Sequence, residues 1–215
     1  ISGNNIAAEF PSLIASLDLR KMDISNNLFT GGFIDVFLLK NFRMTQIDCS
    51  NNALDTPIGE SFYFLTKMES FHAEGNAISD IFPSTKFERL VKLVDFNVAD
   101  NEMTGVFPDT MGSALPNLER FTIDNNGISG SLGDDFYLLS NLKRFSASEN
   151  NISCCVDGLF YTGLENLEYF NLKNNIANGT LQGIDKLRNL KYLNVQNNSF
   201  YGHFPVNDFN QLIYM

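Results

Sequence analysis

FNVADNEMTGVFP, residues 96–108, returns in altered form as MDISNNLFTGGF at 22–33 and as LNVQNNSFYGHFP at 193–205. All three copies open apolar–polar–apolar and place an asparagine three residues after the second apolar position. Followed as a column, that asparagine is Asn4, Asn27, Asn52, Asn76, Asn101, Asn126, Asn150, Asn175 and Asn198, at spacings of 23, 25, 24, 25, 25, 24, 25 and 23 residues. A period this constant marks a repeat architecture in which each unit is one supersecondary element.

Upstream of each complete copy the apolar residues fall in one frame, as in Leu93, Phe96 and Val98 before Asn101, or Leu118, Phe121 and Ile123 before Asn126. The two-residue alternation predicts a short strand with one buried face. An asparagine at the end of every such strand can turn its amide inward and satisfy the backbone of the bend, so stacked copies are expected to form a ladder. Downstream, Gly31, Gly105, Gly130, Gly179 and Gly202 supply turn conformations, and Pro11, Pro83, Pro108 and Pro205 stiffen an extended return. A unit of about 24 residues cannot bury its own apolar face, so only stacking makes a core. Phe71, Phe96, Phe121, Phe145 and Phe170 share one inward column and are expected to stack as an aromatic spine. Between Asn27 and Asn52 either Phe42 or Met44 fits the first apolar position, and a local bulge is expected there. Segments such as DDFYLLSNL, residues 134–142, are expected to form a short helix or 3-10 turn on the opposite side.

The frame resembles the plant-type leucine-rich repeat, whose pattern L-x-x-L-x-L-x-x-N-x-L-x-G-x-I-P is met by LVDFNVADNEMTGVFP at 93–108 and LKYLNVQNNSFYGHFP at 190–205. The resemblance covers essentially the whole chain and implies an α/β solenoid. That is a curved right-handed coil of about nine repeats, with a parallel sheet on the concave face and short helical or 3-10 turns on the convex side. Residues 1–215 are read as one solenoid domain. The cysteine-paired caps usual in extracellular members are absent and the chain opens inside a motif, so it is read as a mature protein or a fragment of something larger.

A formal charge of −10 opposes nucleic acid or anionic membrane as partners, both of which require positive charge. No apolar run reaches the roughly 18 residues of a membrane span. Cys49 falls at an inward position and is expected to be a buried thiol, while the adjacent Cys154 and Cys155 have no mate by spacing, so no metal site or cofactor is expected.

The positions between inward residues must face solvent on the concave sheet. One such column reads Asp23, Asp48, His72, Asn97, Thr122, Ser146, Asn171 and Asn194; the next reads Ser25, Ser50, Glu74, Ala99, Asp124, Ser148, Lys173 and Gln196. Nearer the strand starts stand Arg20, Lys21, Arg120, Lys143, Arg144, Tyr169, Lys191 and Tyr192. The expected partner-binding residues are Asp23, Asp48, His72, Glu74, Asn97, Arg120, Thr122, Asp124, Arg144, Tyr169, Asn171, Lys173, Tyr192 and Asn194, with the two tyrosines as anchors. His72 and His203 lie too far apart to form a catalytic pair, and His72 beside Glu74 reads as an ion pair, so no enzyme is expected. Asp23 and Asp48, on neighbouring strands, are more simply two solvated carboxylates than a calcium site. Three glycosylation sequons begin at Asn151, Asn178 and Asn197 and point to an extracellular or cell-surface setting. The expected partner is a protein or peptide, or neighbouring subunits of an assembly. Two other readings stay open: a scaffold segment of a larger surface or matrix assembly, and, more remotely, ice binding through the Thr, Ser and Asn ladders.

Overall fold

The computed structural model describes residues 1–10, 18–32, 41–82, 86–153, 155–156, 160–205 and 212–213; Pro11, Pro83 and Cys154 lie outside them, and of Cys155 only the backbone is described. Each Φ-x-Φ frame carries a three-residue strand that begins one residue before its first Φ: β1 (Lys21–Asp23), β2 (Gln46–Asp48), β3 (Ser70–His72), β4 (Asp95–Asn97), β5 (Arg120–Thr122), β6 (Arg144–Ser146), β7 (Tyr169–Asn171) and β8 (Tyr192–Asn194). They pair in parallel and in chain order as one eight-stranded sheet. The register keeps equivalent residues side by side: Ser70, Asp95, Arg120, Arg144, Tyr169 and Tyr192 form one row, and Phe71, Phe96, Phe121, Phe145, Phe170 and Leu193 the next. Parallel pairing requires a crossover after every strand, and the repeat period supplies it as one full coil of the solenoid.

The predicted aromatic spine is present. Ring centroids of successive members lie 5.6 Å apart for Phe71–Phe96, 5.5 Å for Phe96–Phe121, 6.2 Å for Phe121–Phe145 and 5.7 Å for Phe145–Phe170. A second tier meets it edge-on, with Phe87 against Phe96 at 86° and Phe136 against Phe145 at 69°. Each fully buried ring contributes roughly 1.5–3 kcal/mol by leaving water. The core continues without a break from Phe10 to Leu193. Cys49 is buried within it as a free thiol, which burial pushes to a raised pKa.

The convex side carries the short turns anticipated: 3-10 turns at Glu60–Phe64, Lys86–Arg89, Phe136–Leu138 and Ile184–Lys186, and one α-helical turn at Met111–Ala114. The return segments do more than the sequence indicated, because they pair laterally into small parallel sheets, such as Thr104–Val106, Gly127–Gly130 and Asn151–Ile152. The glycine column has positive φ throughout, and a Cβ on Gly130 would sit 2.5 Å from Val106 Cγ1. No side chain fits there without movement.

One expectation meets the structure only in part, because residues 33–40 lie outside the described residues. The described part of the coil between Asn27 and Asn52 has no bulge: β2 pairs in unbroken register with β1 and β3. Met44 takes the inward position and is fully buried, whereas Phe42 is 56% exposed beneath the Arg43 guanidinium, 5.5 Å from its ring centre. Only one of the two residues falls on the register that the neighbouring strands impose.

The asparagine ladder is built as its chemistry requires. Asn126 is representative: its Oδ1 accepts from Met103 N–H (2.9 Å) in the preceding coil, and its Nδ2 donates to Val98 O (3.0 Å) there and to Ile123 O and Asp124 O in its own. The same pattern holds at Asn27, Asn52, Asn76, Asn101, Asn150, Asn175 and Asn198. Asn4 heads the column with exposed bonds to Ile1 O and Ser2 O.

The candidate recognition face

Behind the ladder lies a second column that the sequence shows only as an asparagine doublet. Asn26, Asn51, Asp100, Asn125, Glu149, Asn174 and Asn197 all hold φ between 50° and 56°, a left-handed conformation that Asn and Asp tolerate better than other residues with a Cβ. Their side chains bond from coil to coil, as in Asn125 Nδ2 to Asp100 Oδ1 (2.9 Å), Asn174 to the Glu149 carboxylate, and Asn197 Nδ2 to Asn174 Oδ1 (2.6 Å). These bends, the inner ladder and the core hold each concave strand in place.

At the N-terminal strands the expected binding residues are occupied locally. Asp23 Oδ1 accepts from Ser25 N–H and hydroxyl, and Asp48 Oδ1 from Ser50 N–H and hydroxyl. The Ser25 hydroxyl bond is the main reason the Asp23 carboxyl titrates below its usual value. Asn97, Asn171 and Asn194 make the same turn, accepting from Ala99, Lys173 and Gln196 N–H. A strand of three residues leaves the N–H two positions later without a sheet partner, and a short oxygen-bearing side chain supplies one. Asn171 is only 8% exposed and also donates to Ser146 Oγ (3.1 Å), so little of it remains for a partner. Asp124 accepts from the hydroxyls of Ser146 and Ser148. Among the described residues no group of three or more His, Cys, Asp or Glu side chains is placed to hold a metal ion.

The centre of the sheet carries a charge relay across four strands that the sequence reading missed in part. His72 pairs with Asp95, its Nε2 3.1 Å from Asp95 Oδ2, and not with Glu74. The pairing follows from register: Asp95 sits at the start of the next strand, whereas Glu74 lies beyond the end of β3. Arg120 Nε also donates to Asp95 Oδ2 (2.8 Å), and Lys143 Nζ to Glu119 Oε2 (2.9 Å). The Asp95 bond raises the His72 pKa; for Asp95 itself, burial opposes ionisation but the bonds from His72 and Arg120 outweigh it and lower its pKa. Glu74 is left with a buried Oε2 that has no hydrogen-bond partner, and burial raises its pKa. Thr122, half-buried, lies between this relay and the C-terminal strands.

At the C-terminal strands the structure brings together what the sequence placed in one row. Tyr169 and Tyr192 stack at 4.1 Å and 5°, and the Arg144 guanidinium lies 3.6 Å above the Tyr169 ring centre. Arg144, Tyr169 and Tyr192 are each half-exposed, and Tyr192 OH accepts from Asn194 Nδ2 (3.3 Å). Lys173 lies four residues beyond Tyr169 in the second outward column and is half-buried. The result is a flat aromatic plate with a cation on one side, fixed before any partner arrives.

Of the sequon asparagines, Asn151 is exposed on its return strand, Asn178 is half-buried on another, and Asn197 is exposed but bonded to Asn174. No helix among the described residues is long and apolar enough to cross a membrane.

Comparison with known proteins agrees with this geometry. The family described as Leucine Rich Repeat matches residues 189–212. The structure of a TDR receptor superposes with a TM-score of 0.86 at 27% identity, covering 92% of this chain and 34% of that one. The ectodomain of the Arabidopsis receptor kinase HAESA, solved with an IDA peptide hormone ligand, gives 0.94 at 24% identity, covering 100% of this chain and 36% of its own. A plant ice-binding protein gives 0.67 at 18%, covering 100% of this chain and 78% of its own. The chain thus spans about a third of the length of the receptor structures it matches. No curated protein matches it by sequence.

Proposed function

From the premise that this chain is a leucine-rich repeat protein, we propose that residues 1–215, as one solenoid unit, are an extracellular or cell-surface recognition module. In this reading it binds a protein or peptide across the concave face and performs no chemistry of its own. The observation that carries the reading is the Arg144–Tyr169–Tyr192 stack. Aromatic and arginine side chains are the residues that dominate binding energy at interfaces, and rings already ordered lose less entropy on association. The HAESA ectodomain, solved with a bound peptide hormone, supports the reading at the level of fold: a solenoid of this shape can display a peptide site. Ice binding is less well supported, because Asp23, Asp48, His72, Glu74 and Lys173 break up the concave columns with charge. The scaffold reading has no particular observation in its favour.

The test is selection of peptides from a displayed library on the immobilised chain, followed by titration calorimetry. Replacing Tyr169 and Tyr192 together by alanine is expected to weaken the selected peptide about 100-fold, the scale of a paired hot spot, while circular dichroism stays unchanged. Equal affinity in that variant would overturn the reading.

A further inference from the structure

One residue before the first buried position of each coil lies a slot filled in two ways. In the C-terminal coils it holds Asn117, Asn141, Asn166 and Asn189, each donating to a carbonyl of the preceding coil at 2.7–2.8 Å. In the N-terminal coils it holds charge: Asp18 in the first, then the cations Arg43, Lys67 and Lys92. With Arg20, Thr45 and Glu69 these three cations line a groove of about 240 Å³ at the strand-start edge of β1, β2 and β3.

Charge makes this groove unusual. Its four cations and one carboxylate carry a net +3, and the remainder of the chain −13, which together give the −10 of the whole. Elsewhere several cations find partners: Lys86 with Glu60, Arg120 with Asp95, Lys143 with Glu119, Lys191 with Glu168, and Arg89 over the Phe64 ring. Lys21, Lys173, Lys186 and Arg188 form no ion pair among the described residues, and what distinguishes the groove is four cations on consecutive coils around one carboxylate. In the groove only Arg43 is paired, with Asp18 at 3.1 Å; Arg20, Lys67 and Lys92 form no ion pair among the described residues. Coils of a parallel sheet stack about 4.8 Å apart, so cations on consecutive coils repel one another unless an anion lies between them.

We propose that this groove binds a short acidic peptide segment, two to four carboxylates long, as a second anchoring point for the partner of the concave face. The surroundings choose among anions. A nucleic acid or an anionic membrane would extend past the groove onto a surface of net negative charge and be repelled there, whereas a few carboxylates remain within reach of the arginine forks and lysine ammonium groups. The groove opens directly onto the strand starts, so an extended peptide lying across the sheet passes from one to the other. The proposal deepens the recognition reading and rests on it for the identity of the partner, but the two fail separately.

The experiment is fluorescence anisotropy of a fluorescein-labelled tetra-aspartate peptide flanked by glycines, titrated with the whole 215-residue chain. Saturable binding that weakens with salt is expected, reduced about tenfold or more by Lys67→Glu with Lys92→Glu. Lys186→Glu with Arg188→Glu, an equal charge change at the other end, and Tyr169→Ala with Tyr192→Ala should leave it unchanged. Equal binding by the Lys67/Lys92 variant, or equal loss on reversal at Lys186 and Arg188, overturns the proposal. So does a single-stranded oligonucleotide or a phosphatidylserine vesicle that binds as tightly through Lys67 and Lys92. Loss of the library peptide in the tyrosine variant with tetra-aspartate binding absent from the wild type would leave the recognition reading standing and remove this one.

Discussion

The two halves of the solenoid treat one slot differently. From Asn117 onward a side-chain amide at that slot reaches back to the preceding coil, while Lys67 and Lys92 place an exposed cation there and Arg43 reaches back through an ion pair with Asp18. The geometry of the coil tolerates both. An exposed hydrogen bond contributes only about 1 kcal/mol net, so half the repeats can forgo it without losing the fold, and a surface charge becomes available instead. The concave face is divided in the same direction, since Asp23 and Asp48 are engaged by Ser25 and Ser50 at one end and Tyr169 and Tyr192 stack on each other beside Arg144 at the other.

How much one interior ladder position is worth sets the scale for that contrast. Asn150→Leu keeps the volume but strands Ile128 N–H and three carbonyls in a buried bend; a loss of about 3 kcal/mol is expected in urea denaturation. A loss no greater than that at the exposed slot would remove the distinction between inner ladder and outer slot. Among the described residues Glu149 is the only side chain other than Asn or Asp at a positive φ. Glu149→Asn should therefore raise stability by about 1 kcal/mol, and an unchanged midpoint would show that its contact with Asn174 offsets the strain. The slot itself is tested by exchange: Asn141→Lys should cost about 0.5–1 kcal/mol and Lys67→Asn should recover a similar amount. If both changes are neutral, the asymmetry has no structural side and belongs to charge alone.

The smallest effect concerns pH. His72 holds its proton more tightly when folded than its ordinary value of 6.5, through the Asp95 bond first of all. Its contribution is therefore complete below pH 6.5 and is lost as pH rises through the folded value; Asp95, with a lowered pKa, contributes above its ordinary 3.8 and loses it on acidification. The melting temperature should fall as pH rises above 6.5 in the wild type and stay flatter in His72→Gln, a difference of about 0.5 kcal/mol for a partly exposed pair. Parallel profiles for the two proteins would mean that His72 carries none of it.

What the sequence made legible was whatever repeats with fixed period and buried chemistry: the Phe column, the ladder from Asn27 to Asn198, and the glycines of the return. Features spread over two columns or two strands were hidden. The left-handed bend shows as an asparagine doublet until Asp100 and Glu149 interrupt it, and the outer slot shows as asparagine in only half the coils. Asp95 escaped notice because its partners, His72 and Arg120, lie 23 and 25 residues away and meet it only through sheet register. Nor does a sequence reveal that Asp23 or Asn97 will spend its oxygen on the N–H two residues later, which left the concave residues looking freer than they are.

Because every ladder asparagine from Asn27 to Asn198 bonds its own coil to the one before, the chain carries its cohesion in a series of similar links along one axis. Pulled by its ends, such a rod should yield one coil at a time, since each unit is held mainly by its neighbours. Each rupture releases about 24 residues, roughly 80 Å of extended chain, so the trace should be a regular sawtooth with steps set by the asparagine spacing. The rod would then act as a shock absorber whose increment of give is written in its repeat length.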